Sequence, residues 1–200
     1  MPYTGDVLRG GPAAVRELDE VVVRKVAVGP GENNAYLLTC RVSGAQLLID
    51  AADDADRLLD LVRAGSRSTR LDLVVTTRRL RSGDVLTVGH LTLEVITLRG
   101  HTPGSVALVY REPEQVSRTH PGADGAVPGR AHLFAGDALF PGGLGATGYD
   151  PARFASLFDD VTRRIFDRFD DATWVYPGHG ADTTLGAERP HLDEWRERGW

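Results

Sequence analysis

The stretch Gly-His-Thr-Pro-Gly-Ser at residues 100–105 follows directly on a predicted strand. Two similar motifs come later in the chain, Phe-Ala-Gly-Asp at residues 134–137 and Tyr-Pro-Gly-His-Gly at residues 176–180. Each motif places one metal-capable side chain in a glycine-flanked loop at the end of a predicted strand: His101, Asp137 and His179. Glycine allows unusual backbone angles and close approach, and imidazole and carboxylate groups are ligands that zinc or iron accepts.

Around these motifs the chain alternates between strand-like and helix-like segments. Runs rich in Val, Leu, Ile, Tyr and Thr predict strands at residues 20–27, 34–42, 46–49, 71–75, 84–88, 91–98, 105–110, 131–135 and 173–176. Apolar residues at helical spacing predict helices after Asp54 and after Asp150. A final helix is expected over residues 188–198. This order of elements fits sheets flanked by helices.

Several local features can be predicted from single residues. Gly65 is expected to cap the first helix, and the near-continuous apolar run at residues 71–75 predicts a buried strand. Residues 113–129 and 140–148 are expected to form loops, the second of them glycine-rich. Asp150 followed by Pro151 is typical of a helix start.

Taken together and in this order, the three motifs resemble those of the metallo-β-lactamase superfamily, and in particular its glyoxalase-II-like hydrolases. The similarity extends over nearly the whole chain, since residues 33–38 and 48–51 look like the family's opening strands. The resemblance implies an α/β (α+β) fold, a four-layer αββα sandwich that forms one domain over residues 1–200. The metal site of such a fold lies at the edge between its two sheets.

The resemblance also assigns roles to the three side chains. His101 would bind a first metal, Asp137 would bridge two metals and His179 would bind the second. The cofactor would be zinc or another divalent metal, which lowers the pKa of bound water to about 7 and so prepares it to attack a thioester or related carbonyl.

The chain departs from the family at the signature His-x-His-x-Asp-His. The strand ending at residues 74–77 is followed by Arg-Arg-Leu-Arg-Ser-Gly-Asp at residues 78–84, which contains no histidine. We therefore expect one loop-helix-strand segment of the family to be deleted, together with ligands to both metals. Arg78, Arg79 and Arg81 would disfavour a cation if they point inward; the alternative is a solvated loop.

Two imidazoles and one carboxylate remain. Three protein ligands and a water can hold zinc, and a two-His-one-carboxylate set suits iron. The resemblance implies, however, that His101 and His179 bind two separate ions roughly 3.5–4 Å apart. The two side chains would therefore have to move for both to bind a single ion. The other histidines, His90, His120, His132 and His191, lie in no family motif.

Three hypotheses follow. The chain is a metal-dependent hydrolase of a small thioester or other acyl substrate, with a reduced metal site and impaired activity. Alternatively, it is a catalytically inactive pseudoenzyme that binds a ligand or a partner, or a degraded gene product without a role of its own. No catalytic residue beyond the metal ligands can be assigned.

Composition limits which binding partners and which cellular compartment are expected for the chain. The net charge is −5 and Lys25 is the only lysine, which excludes nucleic acid as an expected partner because phosphate binding needs clustered cations. Cys40 is the only cysteine, residues 1–11 show no signal-peptide pattern and no apolar run could span a bilayer, so a cytoplasmic protein without membrane contact is expected. The deletion should expose a sheet edge, which predicts a homodimer or an aggregation-prone monomer.

Overall fold

The computed structural model describes residues 3–68, 70–75, 80–115 and 125–199. Its strands are β1 Ala14–Glu17, β2 Val21–Val28, β3 Asn33–Cys40, β4 Gln46–Ile49, β5 Leu73–Val75, β6 Val85–Val88, β7 Leu91–Thr97, β8 Val106–Arg111, β9 Ala131–Gly136, β10 Leu139–Phe140, β11 Gly143–Leu144, β12 Trp174–Pro177 and β13 Thr183–Thr184. Its helices are α1 Ala55–Gly65, α2 Pro151–Val161, α3 Leu185–Glu188 and α4 Leu192–Arg198. The chain is thus a mixed α/β protein with two main sheets and few helices, as predicted.

The first sheet has the strand order β1-β2-β3-β4-β5. Its first four strands pair with one another in antiparallel fashion, and β5 runs parallel to β4. Leu58, Leu61 and Val62 of α1 are buried in one cluster with side chains of β2, β3 and β4. The prediction of a buried strand at residues 71–75 was wrong in one respect: β5 is half-buried, because it is the edge strand of this sheet.

Gly65 is required by packing, not by backbone conformation. It is the last residue of α1, and the extended residue Ser66 follows it, so the predicted glycine cap was wrong. A Cβ at Gly65 would lie 2.0 Å from Gln46 Oε1 and 2.7 Å from a methyl carbon of Leu37. The glycine therefore lets the end of α1 lie directly on the sheet.

The second sheet has the strand order β13-β12-β9-β8-β7-β6. Its strands β9 and β12 are parallel, with Tyr176 opposite Phe134. Asp150 caps α2 by accepting hydrogen bonds from the amides of Ala152 and Arg153, which confirms the predicted helix start. The predicted apolar stripe of this helix is buried: Phe154, Leu157, Phe158, Val161 and Ile165. The last of these lies in a π-helical turn, Thr162–Phe166, that continues α2.

Two predicted segments near the C-terminus differ from the structure. The predicted loop at residues 140–148 contains a short hairpin, in which Phe140 of β10 pairs with Gly143 of β11. The predicted helix at residues 188–198 is broken by a 3₁₀ turn, Arg189–His191. Pro190 explains the break, because proline has no N–H to donate within a helix.

The chain divides into two compact units. One comprises Met1–Arg79, Leu86–Leu93 and Arg111–Arg130; the other comprises Leu80–Val85, Glu94–Tyr110 and Ala131–Trp200. The single domain over residues 1–200 stays a prediction. Among the described residues, no helix is long and apolar enough to cross a bilayer.

The connection between β5 and β6 spans residues 76–84. Its first four residues, including Arg78 and Arg79, lie outside the described part of the chain, as does His120. Arg81 is exposed, and its amide donates to Asp84 Oδ2 over 2.9 Å. At Arg81, the solvated-loop alternative is therefore the correct one.

Candidate metal centre

The sheet brings Asp137 and His179 to the same edge. Asp137 directly follows β9, and His179 comes two residues after β12. These strands are parallel neighbours, with Pro177 opposite Gly136, so their carboxyl ends lie side by side. The amide of Gly178 donates to the carbonyl of Gly136 over 2.9 Å and ties the two loops together.

The three predicted side chains come together around the carboxylate of Asp137. His101 lies in the loop between β7 and β8, and its Nε2 is 3.6 Å from Asp137 Oδ2. His179 Nε2 is 3.6 Å from Asp137 Oδ1. The side chains of His101, Asp137 and His179 are 27%, 35% and 41% exposed, so solvent reaches all three. Each carboxylate oxygen therefore faces a different imidazole.

The ring of His101 is oriented by its other nitrogen. Nδ1 lies 2.8 Å from the carbonyl oxygen of Ala146. A carbonyl oxygen can only accept, so Nδ1 carries a proton and donates it to Ala146, and Nε2 is left facing Asp137. Metal-binding histidines commonly have their second nitrogen held in this way.

The ring of His179 lies beside the β10–β11 hairpin. Its plane is within 10° of the plane of Phe140, with the ring centroids 6.3 Å apart. The buried residue Glu188 holds the tip of this hairpin, since its carboxylate accepts from the amide of Gly142 over 2.8 Å and from Thr183 Oγ1 over 2.6 Å. The hairpin therefore borders the site on the side of His179.

Gly178, in the third motif, and Gly145, in the segment 140–148, leave no room for a side chain around Asp137. A Cβ at Gly178 would lie 2.1 Å from Asp137 Oδ1. A Cβ at Gly145 would lie 1.7 Å from the carbonyl oxygen of Asp137 and 3.4 Å from His101 Nδ1. The two distances to oxygen are shorter than any carbon–oxygen packing distance, so a side chain at either glycine would displace Asp137.

The donor set fits a divalent metal in part. Asp137 Oδ1 is shielded from solvent and accepts no hydrogen bond from the described residues, an arrangement that costs about 1–3 kcal/mol unless a cation offsets it. Zinc lies about 2.0–2.2 Å from its nitrogen and oxygen ligands, so either histidine–carboxylate gap is wide enough for an ion. In the described ranges, however, no three His, Cys, Asp or Glu side chains surround one point. The arrangement is two histidine–aspartate pairs that share one carboxylate.

The remaining described histidines have other surroundings. His132 is fully buried between Tyr110 and Tyr176, and its Nδ1 is 3.0 Å from the hydroxyl oxygen of Tyr176. His90 is exposed in the turn between β6 and β7, and His191 pairs with Glu194. Reasoning from sequence missed the residues that hold the site from a distance, among them Arg153 and Glu188. No local pattern marks them, because the loop residues that they bind near the site lie 46 to 53 residues away.

Comparison with known proteins gives relatives at the level of sequence. No family model matches the chain. Hydroxyacylglutathione hydrolase GloC of Haemophilus influenzae is 27% identical over 109 residues, which cover 54% of this chain and 43% of that protein. An uncharacterised protein of Mycobacterium tuberculosis is 35% identical over 112 residues, with the same coverage of 54% and 43%. The chain thus spans less than half the length of these curated relatives.

Solved structures give a likeness over most of the chain. A metallo-β-lactamase from Staphylococcus aureus matches with a TM-score of 0.66 at 17% identity, over 90% of this chain and 63% of that one. ETHE1 from Myxococcus xanthus matches with a TM-score of 0.66 at 23% identity, over 88% and 84%. The B3 metallo-β-lactamase BLEG-1 matches with a TM-score of 0.61 at 20% identity, over 86% and 99%. This chain therefore has the metallo-β-lactamase fold.

Proposed function

We propose that the chain is a metal-dependent hydrolase of a small thioester or other acyl substrate, with a metal site reduced to His101, Asp137 and His179. The observation that carries this proposal is the carboxylate of Asp137, which lies between two imidazole Nε2 atoms, each 3.6 Å away. One of its oxygens accepts no hydrogen bond from the residues that the structure describes. The name of the relative GloC describes hydrolysis of an acyl-glutathione, which supports a thioester as substrate class.

Each residue has a role in this proposal. A bound divalent ion, zinc in the first instance, would supply a Lewis acid and a water of lowered pKa. His101 would present Nε2 because Ala146 holds its Nδ1. Asp137 would contribute the negative charge that the cation needs, and His179 would be kept in place beside Phe140. With no histidine over residues 76–84, activity should be weaker than in proteins that have the full signature.

The second candidate is a pseudoenzyme that binds a ligand or a partner. It is favoured by the missing signature and by the finding that, where the structure describes the chain, no three metal-binding side chains surround one point. Both candidates are proposed for the cytoplasm, since a single buried cysteine gives no disulfide that would mark an oxidising compartment.

Thiol release separates these candidates. The purified chain is incubated with zinc and a hydroxyacyl-glutathione thioester, and the free thiol is measured with a thiol-reactive dye. The hydrolase proposal predicts zinc-dependent release that falls at least about tenfold in His179→Ala and Asp137→Asn. His191→Ala, which changes an exposed histidine outside the site, is the matched control and should retain full release. Equal release in all four proteins, or none from the zinc-loaded wild type, would rule out the hydrolase.

A further inference from the structure

The loop that carries His101 is bound by α2 at three consecutive residues, beginning with Arg99. The amide and Nε of Arg99 each donate to Asp160 Oδ2 over 2.9 Å, and one of its Nη atoms donates to Asp160 Oδ1 over 2.8 Å. One carboxylate of the helix therefore holds both the backbone and the side chain of the residue two positions before His101.

The next two residues are bound by Arg153, also on α2. Its Nε donates to the carbonyl oxygen of Gly100 over 2.9 Å, and its Nη2 donates to the carbonyl oxygen of His101. A guanidinium is planar, and its N–H groups diverge at fixed angles, so two such bonds fix the direction of the peptide between these carbonyls. Arg153 thus acts directly on the backbone of the metal-capable residue.

Gly100 lets the loop lie flush against the helix. Its φ is +138°, and a Cβ there would lie 2.5 Å from both the carbonyl oxygen of Arg153 and Cβ of Leu157. No side chain fits in this contact. The close approach explains why one arginine can reach two consecutive carbonyls.

The carboxyl of Asp160 is ionised at neutral pH, because its pKa is lowered from the ordinary value. Burial is the largest single influence and disfavours its ionised form, but the hydrogen bonds from Arg99 and the charge of Arg164 outweigh burial and lower the pKa of this carboxyl. Its side chain is only 2% exposed. The anchor of the loop is therefore a permanent, buried anion between two arginines.

We infer that Arg153 and Asp160 are positioning residues that aim the imidazole of His101 at Asp137. With the backbone of residues 99–101 held on α2, Nδ1 of His101 meets the carbonyl oxygen of Ala146 and Nε2 faces the carboxylate. That this ring orientation serves metal binding rests on the proposed function. The orientation of the His101 ring is a property of the metal-free chain and can be measured without metal.

The test is the tautomer of His101, read from ¹⁵N side-chain NMR of the metal-free protein at one pH where the ring is neutral. Wild type should show a single Nδ1–H tautomer. Arg153→Ala should show averaging of both tautomers, and Arg153→Lys, which keeps the charge but loses the two-bond fork, should fall between them. The matched control is Arg163→Ala, which removes an exposed arginine of the adjoining π-helical turn that pairs with Asp159.

Zinc titration of the same samples separates the two claims. We expect Arg153→Ala to bind zinc about 10–100-fold more weakly than wild type. An unchanged His101 tautomer in folded Arg153→Ala overturns the inference; if that variant does not fold, Asp160→Asn and Arg153→Lys decide in the same way. A shifted tautomer in a protein whose wild type binds no zinc would instead reject the proposed function and leave the positioning role standing.

Discussion

At the residue scale, the site depends on the absence of a methyl group at Gly178. A Cβ there would lie 2.1 Å from Asp137 Oδ1, so Gly178→Ala must displace the carboxylate. We predict that this variant binds zinc about 10–100-fold more weakly than wild type, because the carboxylate can no longer face His179. Isothermal titration of the folded variant with zinc measures the change.

Gly104→Ala is the matched control for this substitution. Gly104 lies in the motif of His101, but a Cβ there would meet no atom within 4 Å and its φ is not in the left-handed region. Zinc affinity should be unchanged in this variant. Wild-type affinity in Gly178→Ala as well would show that Asp137 Oδ1 does not contact the metal.

Single residues also show how far sequence reasoning extends. The grouping of His101, Asp137 and His179 could be predicted, because each stands in a short motif at a strand end. Asp160 could not, since its partner Arg99 is 61 residues away and no spacing records that contact. Gly65 was misinterpreted for a similar reason: its constraint comes from Gln46 on a strand opposite the helix, and not from the chain beside it.

At the element scale, the attachment of α2 to the His101 loop should make stability depend on pH. The pKa of Asp160 is lowered in the folded chain, so the unfolded chain binds this proton more readily. The stabilisation is therefore complete above the unfolded value of about 3.9, and it is lost as the pH falls through the folded value.

Urea unfolding of wild type and Asp160→Asn measures this dependence. At pH 7 we expect the variant to be about 2–3 kcal/mol less stable, as for the loss of hydrogen bonds to a charged group. The difference should shrink as the pH is lowered below about 3.9. A difference that is the same at pH 7 and in acid would mean that the charge of Asp160 does not contribute.

Elements were predicted well where residues next to one another in sequence define them, as for β4 and the start of α2. They were predicted less well where pairing with a distant strand determines the structure. The β10–β11 hairpin was predicted as loop because its strands have two residues each, too few to show alternation. The half-burial of β5 follows from its place at the sheet edge, and the apolar run Leu73–Val75 does not reveal which strand is last.

At the scale of the whole molecule, the edge at β5 leads us to propose a homodimer. Beside this strand, Leu48, Leu58, Leu59 and Leu71 are among the residues that line an apolar cavity of about 430 Å³, and Leu59 is 49% exposed. Among the residues that the structure describes, no strand pairs with the outer side of β5, and such an edge beside apolar surface favours pairing with a second copy. Light scattering should therefore give twice the chain mass of 21.7 kDa.

Two lysine substitutions locate the dimer contact. Leu59→Lys places a charge in the apolar surface and should shift the mass toward the monomer. Val42 is 64% exposed and does not line this cavity, so the mass of Val42→Lys should stay that of the dimer. A wild-type protein that is monomeric at all concentrations would contradict the proposed dimer.

Elemental analysis of the purified, folded protein shows whether His101, Asp137 and His179 hold a metal. We expect about one divalent ion per chain in wild type, and its loss in both His101→Ala and His179→Ala. Well-folded wild type without metal above background, or loss of either histidine without loss of the ion, would contradict the proposed metal site.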